Sequence, residues 1–477
     1  MAPCLNRMWC ASSAVIVLAS VSAGAQNLEH AHSDLPGRAP FPQMTYDEDN
    51  RFLANPALRT EPLDVLKYIP LSATDTNSYL SFGAFIRERV EYFSNPDWGS
   101  GPPGSAYLMQ RYLIHADLHL GERLRAFTEL GSSLEEWRTG GPRSGLDRDT
   151  LDLHQAFVDL GLWQENRSSL TLRAGRQEMA FGSGTLISTR DGRNIRVSFD
   201  GFRLSLLANE WTIDAFAVRQ TKNKPGMFDD PPNSDLGLWG VYAVRPLKML
   251  PGGHIDVYYL GNDNKQATYD AEGTGYEMRH TIGTRVWGTT EHWDYNEEAI
   301  FQFGNFRSKD IRAWAISTEA GYRLDSIPLG PRFGLRAVAF SGNQNPGDDT
   351  LGTFNSLNEK GPYFSYAEWF ARRNLIAVQP SVQLNFTKDL SFTPNTAFFW
   401  RESTRDGLYS PSSLIVTGQK SNASYIGNQT GAQLQWKLNR HLTFMMDYEH
   451  FFPGEFLKQS TAGRSVDYFT AWLDFRF

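Results

Sequence analysis

From about residue 80 to Phe477 the chain divides into eighteen short segments of alternating polar and apolar residues, joined by links that run short, long, short, long. At the end of the chain Phe469, Ala471, Leu473, Phe475 and Phe477 share one face, while Tyr468, Thr470, Trp472 and Asp474 share the other. The same alternation puts Ile114, Ala116, Leu118 and Leu120 opposite His115, Asp117 and His119, and Ile376, Val378, Val382, Leu384 and Phe386 opposite Gln379, Ser381, Gln383 and Asn385. Side chains of a strand alternate faces, so one face suits lipid and the other water. A soluble antiparallel sandwich has the same period. It explains neither the ordered link lengths nor the terminal aromatic. The fold class expected is all-β: a transmembrane antiparallel β-barrel of about eighteen strands, closed because hydrocarbon offers no water to unpaired amides.

Three regions follow. Arg7, the apolar run Ala14 to Ala19 and the small residues Ala23-Gly24-Ala25 read as a signal peptide over 1–25. Residues 26–79 lack alternation and read as a periplasmic segment that tucks against the barrel mouth, and 80–477 form the barrel. Both cysteines, Cys4 and Cys10, fall in the leader, which removes thiol chemistry, disulfides and cysteine metal sites from the mature chain. The mean hydropathy of −0.42 hides the membrane, as expected of a barrel with a polar lumen and long loops. Thirteen Trp and nineteen Tyr are available for interfacial girdles, and a net charge of −7 argues against nucleic acid.

Links after even strands are short, such as Gly121, Asn209, Lys388-Asp389 and Asn439-Arg440, and mark the periplasmic side. Links after odd strands are long and lie outside, such as 94–106, 220–235 and 342–373, with 306–310 as a short exception. The fifth strand is read as 169–181, the ninth as 253–261 and the tenth as 277–288. A barrel this wide should leave an aqueous channel.

Parity then sorts the charges. Arg87, Arg89, Arg173, Arg203 and Arg336 oppose lipid-facing residues and point inward, with Arg125, Arg285 and Arg401 near strand ends. An arginine facing lipid at mid-membrane would cost roughly 2–4 kcal/mol, which supports that assignment. Inward acids accompany them: Glu129, Asp159, Asp214, Glu298, Glu319 and Asp447. These charges either pair across strands and stiffen the wall or form a basic ring that attracts anions. The loop GSGTLISTRDGRNIRVSF, 182–199, carries Arg190, Arg193 and Arg196, and either folds inward or lies solvated outside. Its glycines form no phosphate-loop signature. His115 and His119 lie too far apart along one strand for a tight metal pair, and His154 and His280 are read as facing lipid or a girdle. No catalytic set assembles, so no enzyme, metal or cofactor is expected.

Several stretches resemble the bacterial alginate export family: YDEDNRFLANPALRTEPLDVLKYIPL (46–71), RYLIHADLHLGERLRAFTELGSS (111–133), LDLHQAFVDLGL (151–162) and LRAGRQEMAFGSGTLISTRDGRNIRVSFDGFRL (172–204). The resemblance implies a monomeric eighteen-stranded barrel in the bacterial outer membrane, in contact with lipid, lipopolysaccharide and periplasmic secretion partners. It also implies an electropositive constriction that passes an anionic uronate polysaccharide or oligosaccharide. Arg87, Arg173, Arg203 and Arg336 match such a constriction, together with Arg190, Arg193 or Arg196 from the loop. Arg176 belongs to the resembling motif, but parity turns it to lipid unless a bulge intervenes. The family's exporter plugs itself with a long periplasmic turn near the last strands, for which Asn439-Arg440 leaves no room. The alternative is a general porin, or one for another substrate, with mostly paired lumen charges.

Overall fold

The computed structural model describes residues 38–411 and 413–477, so the proposed leader 1–25 lies outside the described residues. Eighteen antiparallel strands close into one barrel. They are β1 (Tyr79–Phe93), β2 (Ser105–Leu120), β3 (Leu124–Glu136), β4 (Asp149–Glu165), β5 (Ser168–Gln177), β6 (Phe199–Ala208), β7 (Trp211–Thr221), β8 (Pro232–Pro246) and β9 (Gly253–Tyr269). The second half comprises β10 (Gly273–Thr289), β11 (Trp293–Phe306), β12 (Lys309–Arg323), β13 (Arg332–Phe340), β14 (Leu375–Asn385), β15 (Leu390–Trp400), β16 (Tyr425–Lys437), β17 (Leu442–Pro453) and β18 (Val466–Arg476). Closure joins β1 to β18, with Phe85 opposite Arg476 and Phe93 opposite Tyr468. Ile114, Phe202, Ile316 and Leu335 stay more than half exposed, as lipid-facing residues must before lipid covers them.

Links on the even side run from the two residues 166–167 to the eight residues 324–331, whereas an odd link reaches the thirty-four residues 341–374. Several boundaries differ from the sequence reading, most of all in β9, β10 and β5. β9 and β10 extend over 262–276 to a three-residue link at 270–272. That stretch begins Asn262-Asp263-Asn264-Lys265-Gln266 and rises beyond the membrane, where no lipid enforces alternation, so its period is lost. β5 ends at Gln177 rather than 181, because the chain turns into the lumen at Glu178 and Met179, both almost fully buried.

The outer half of the lumen is packed, which corrects the expectation of a wide open channel. Phe199, Phe340, Phe354, Phe399 and Phe451 are fully buried there, among apolar residues of the inward faces and the infolded outer loops. Each such burial stabilises by about 1.5–3 kcal/mol. From the periplasmic side the lead-in segment enters the mouth. A short helix α1 (Asp64–Lys67) precedes a two-residue pairing of Ile69 and Pro70 with Leu80 and Tyr79. Tyr46 reaches deeper and packs edge-on to Phe157 at 5.5 Å.

Candidate functional site

Two outer loops, 178–198 and 341–374, fold into the lumen and lace together. Asn358 donates its backbone N–H to the Leu186 carbonyl at 2.9 Å, Ser188 to Asn358 at 2.9 Å, and Lys360 to Gly184 at 2.7 Å. Gly182 permits the entry, since its φ of +56° suits glycine and a Cβ there would strike the Tyr242 hydroxyl. The tip, Arg190 to Arg193, crosses to the wall formed by β1–β3. There Arg87 and Arg111 stand opposite each other in register, two guanidinium groups side by side. Asp191 resolves their repulsion: its carboxylate accepts from Arg111 Nη1 at 2.7 Å and from Arg87 Nη2 at 3.2 Å. Asn194 adds three bonds to the carbonyls of Gln110, Leu134 and Asp147. The inward-folded reading of this loop therefore holds, and Arg190, Arg193 and Arg196 are all buried.

The candidate arginines are mostly neutralised. Arg87 also pairs with Asp474 at 2.6 Å, Arg125 with Asp117 at 2.7 Å, Arg173 with Asp159 at 2.7 Å, Arg203 with Asp214 at 2.8 Å and Arg336 with Glu319 at 3.0 Å. Arg89 is held by Glu91 and by the Tyr468 hydroxyl, Arg196 by Glu178 at 2.7 Å, and Arg193 by Glu368 at 3.5 Å. A buried arginine without a carboxylate would cost several kcal/mol, so these pairs satisfy and orient one another more than they stabilise. Arg190 is the exception: its guanidinium donates to the carbonyls of Leu357 at 3.0 Å and Glu359 at 3.3 Å.

Arg176 does not join them. The pairing of β5 with β6 runs without a bulge, leaving Arg176 opposite Asp200 on the face of exposed Phe202, where the two bond at 2.9 Å. Arg401 is also elsewhere: it donates to carbonyls of the 401–424 loop and lies over the Phe456 ring. His154, read as lipid-facing, is turned inward by a bulge between Glu129 and Leu130 and sits 2.8 Å from Glu178. His119 bonds Asp117 at 3.0 Å, and Arg125 shares that carboxylate, an arrangement of wall residues.

Below the laced loops a vestibule of about 1010 Å³ opens between them and the periplasmic turns 386–389 and 438–441. Of the candidates, Arg87, Arg190 and Arg336 line it. One wall is a ladder of amides, Gln379, Gln383, Asn395, Gln433 and Gln435, from β14, β15 and β16. At its roof sits Lys360, whose ammonium has no carboxylate partner within ion-pair distance among the described residues. Burial, then the charge of Arg336, lowers Lys360 to about 8. The lead-in segment supplies Arg38, Pro40, Phe41 and Gln43 to the lower rim. It is fastened by Thr45 Oγ1 donating to Glu129 at 2.7 Å, Tyr46 Oη to the Glu178 carbonyl at 3.0 Å, and Arg476 to the Pro42 carbonyl at 2.9 Å.

Sequence reasoning missed Arg111, Asp191 and Lys360. Arg111 has the parity of His115 on the same strand and was legible by that rule. Asp191 sits among three arginines in the loop, a charge pattern that already hints at pairing. Lys360 lies in a long aperiodic link and carried no signal.

The chain matches the family described as alginate export over residues 78–471. Among solved structures it is similar to OccK2 (OpdF) of Pseudomonas aeruginosa in complex with glucuronate, at 11% identity and a TM-score of 0.54, covering 83% of this chain and 98% of that one. A BenF-like porin from Pseudomonas fluorescens Pf-5 is similar at 10% identity and a TM-score of 0.54, with the same coverage of 83% and 98%. OpdK of Pseudomonas aeruginosa with vanillate is similar at 11% identity and a TM-score of 0.53, again over 83% and 98%. At such identities the likeness is one of fold. No curated protein matches significantly.

Proposed function

The chain belongs to the alginate export family of bacterial outer-membrane β-barrels, and from that premise we propose that its lumen passes an anionic, uronate-type saccharide. Family and fold are those of outer-membrane channel proteins, not of enzymes. The observation that carries the substrate reading is Lys360, an unneutralised cation at the roof of a vestibule whose wall is an amide ladder. An ammonium suits a carboxylate. Amides donate and accept, which suits sugar hydroxyls. The solved complex of a similar barrel, OccK2, with glucuronate supports the same chemistry for this one. On this reading selectivity rests on Lys360 and Arg190 at the roof, with the arginines at 87 and 336 shaping the passage around them.

A second reading, a weakly selective porin, is favoured by the carboxylate partners of nine of the ten candidate arginines. Planar-bilayer recordings separate the two. A substrate channel gives an anion-preferring reversal potential and is blocked by oligouronates but not by neutral oligosaccharides of equal length. Lys360→Gln should weaken that block about tenfold, the loss expected from one charge-assisted hydrogen bond of ~1.5 kcal/mol. Cation preference, or indifference to oligouronates, would sink the substrate reading.

A further inference from the structure

At the outer rim, far from the vestibule, the 222–231 loop leaves β7 and leans back over β5 and β6 to dock on β4. Thr150 donates its backbone N–H to the Gly226 carbonyl at 3.2 Å and its hydroxyl to Pro225 at 2.8 Å, and Phe228 donates to Leu151 at 2.9 Å. Asp152 Oδ2 receives the backbone N–H groups of Asp229 and Asp230 at 2.9 and 3.2 Å. This docking gathers Asp149, Asp152, Asp229 and Asp230 under one loop. The cation facing them is Arg176, which lies 3.6 Å from Asp152 and donates to the Asp230 carbonyl at 2.8 Å. Its charge is already shared with Asp200 at 2.9 Å. The carboxylates are therefore in excess where little water reaches them.

Asp149 is the telling residue. It is 7% exposed, its Oδ1 is buried with no hydrogen-bond partner, and its carboxylate lies among those of Asp152 and Asp230. One carboxylate oxygen each from Asp149, Asp152 and Asp230 lie within 4.8 Å of one another. Oxygen ligands held ~2.3–2.6 Å from a calcium ion stand at most about 5 Å apart, so this spacing suits a hard divalent cation. The contrasting group Glu129, His154 and Glu178 is held together by Thr45, Gln155 and Arg196, which leaves no orphan for a metal to satisfy.

We propose that Asp149, Asp152 and Asp230 bind one calcium-type divalent cation that staples the 222–231 loop to the outer end of β4. The ion supplies the missing partner of Asp149 and neutralises the excess carboxylates, so the loop is firm in a calcium-containing medium and loose without it.

The test uses the full chain refolded in detergent free of lipopolysaccharide and stripped with EDTA. Calorimetric titration with CaCl2 should show one site per chain, and trypsin should cut after exposed Lys222 in EDTA but not in CaCl2. The double variant Asp149→Asn, Asp230→Asn should bind calcium ~10-fold or more weakly. In EDTA it should melt no lower than the wild type, since isosteric amides remove the repulsion. If that variant does not fold, the calcium dependence of cleavage at Lys222 in the wild type decides. Absence of calcium uptake by the wild type, uptake unchanged in the folded variant, or cleavage at Lys222 indifferent to calcium would each overturn the proposal.

Discussion

Lys360 differs from every arginine around it in one respect that can be measured: its charge is within reach of titration. With its ammonium lowered to about 8 by burial and by Arg336, it is protonated at pH 7 and mostly neutral at pH 9. Arginine does not titrate in that range. Block of ionic current by oligouronates should therefore weaken as pH rises through about 8, and Lys360→Arg should hold the block at pH 9. A pH profile unchanged by that substitution would remove Lys360 from the site. Parity alone placed Arg87, Arg173, Arg203 and Arg336 on the lumen side, because lipid enforces it. The same parity turned Asp159, Asp214 and Glu319 inward, the partners of Arg173, Arg203 and Arg336, but those of Arg87 were not legible in this way: Asp191 lies in an irregular loop and Asp474 more than three hundred residues away.

Among the elements, the lead-in segment occupies the periplasmic mouth, fastened there by contacts such as Thr45 to Glu129, Arg476 to the Pro42 carbonyl and Arg440 to Glu61. Tyr46 anchors it, 5% exposed, stacked edge-on to Phe127 and Phe157 and bonded to the Glu178 carbonyl at 3.0 Å. Tyr46→Ala removes a buried aromatic, a change worth about 3–5 kcal/mol in a core. Here the loss falls on docking of 38–67, because the barrel's ladders do not depend on that ring. Limited proteolysis should cut the segment much faster in the variant, and single-channel recordings should show larger, noisier current, while heat resistance of the barrel band on gels is retained. Cleavage at the wild-type rate would mean that the segment is fastened elsewhere. Sequence composition separated this segment from the barrel because alternation stops before residue 80. How deeply it reaches was hidden, since an extended chain satisfied by side chains such as Glu129 and Arg476 has no period to read.

On the scale of the whole molecule, closure is what brings the first and last strands together, and the Arg87–Asp474 pair exists only in the closed barrel. The strand count and link rhythm were readable because a bilayer imposes the same two-residue period on every crossing. The packed outer lumen was not, because the apolar residues of infolded loops look like any other loop composition. The pair also offers a test of how the lumen field is set. Asp474→Asn keeps the backbone ladder between β1 and β18, so the barrel still closes, and Asp191 remains to hold Arg87. One negative charge is removed from the vestibule wall. At ~8 Å from a passing ion in water-like surroundings a unit charge is worth about 0.5 kcal/mol, roughly a twofold change in partitioning. Anions gain what cations lose, so the anion-to-cation permeability ratio should rise by about the square of that factor, roughly fivefold, and by less at high salt, where screening shortens the reach of the charge. Folding, read from the heat-modifiable gel shift, should be nearly unchanged. A permeability ratio that stays put at low salt would mean that ions do not pass within a Debye length of β1 and β18, and would move the conducting path to the amide wall of β14–β16.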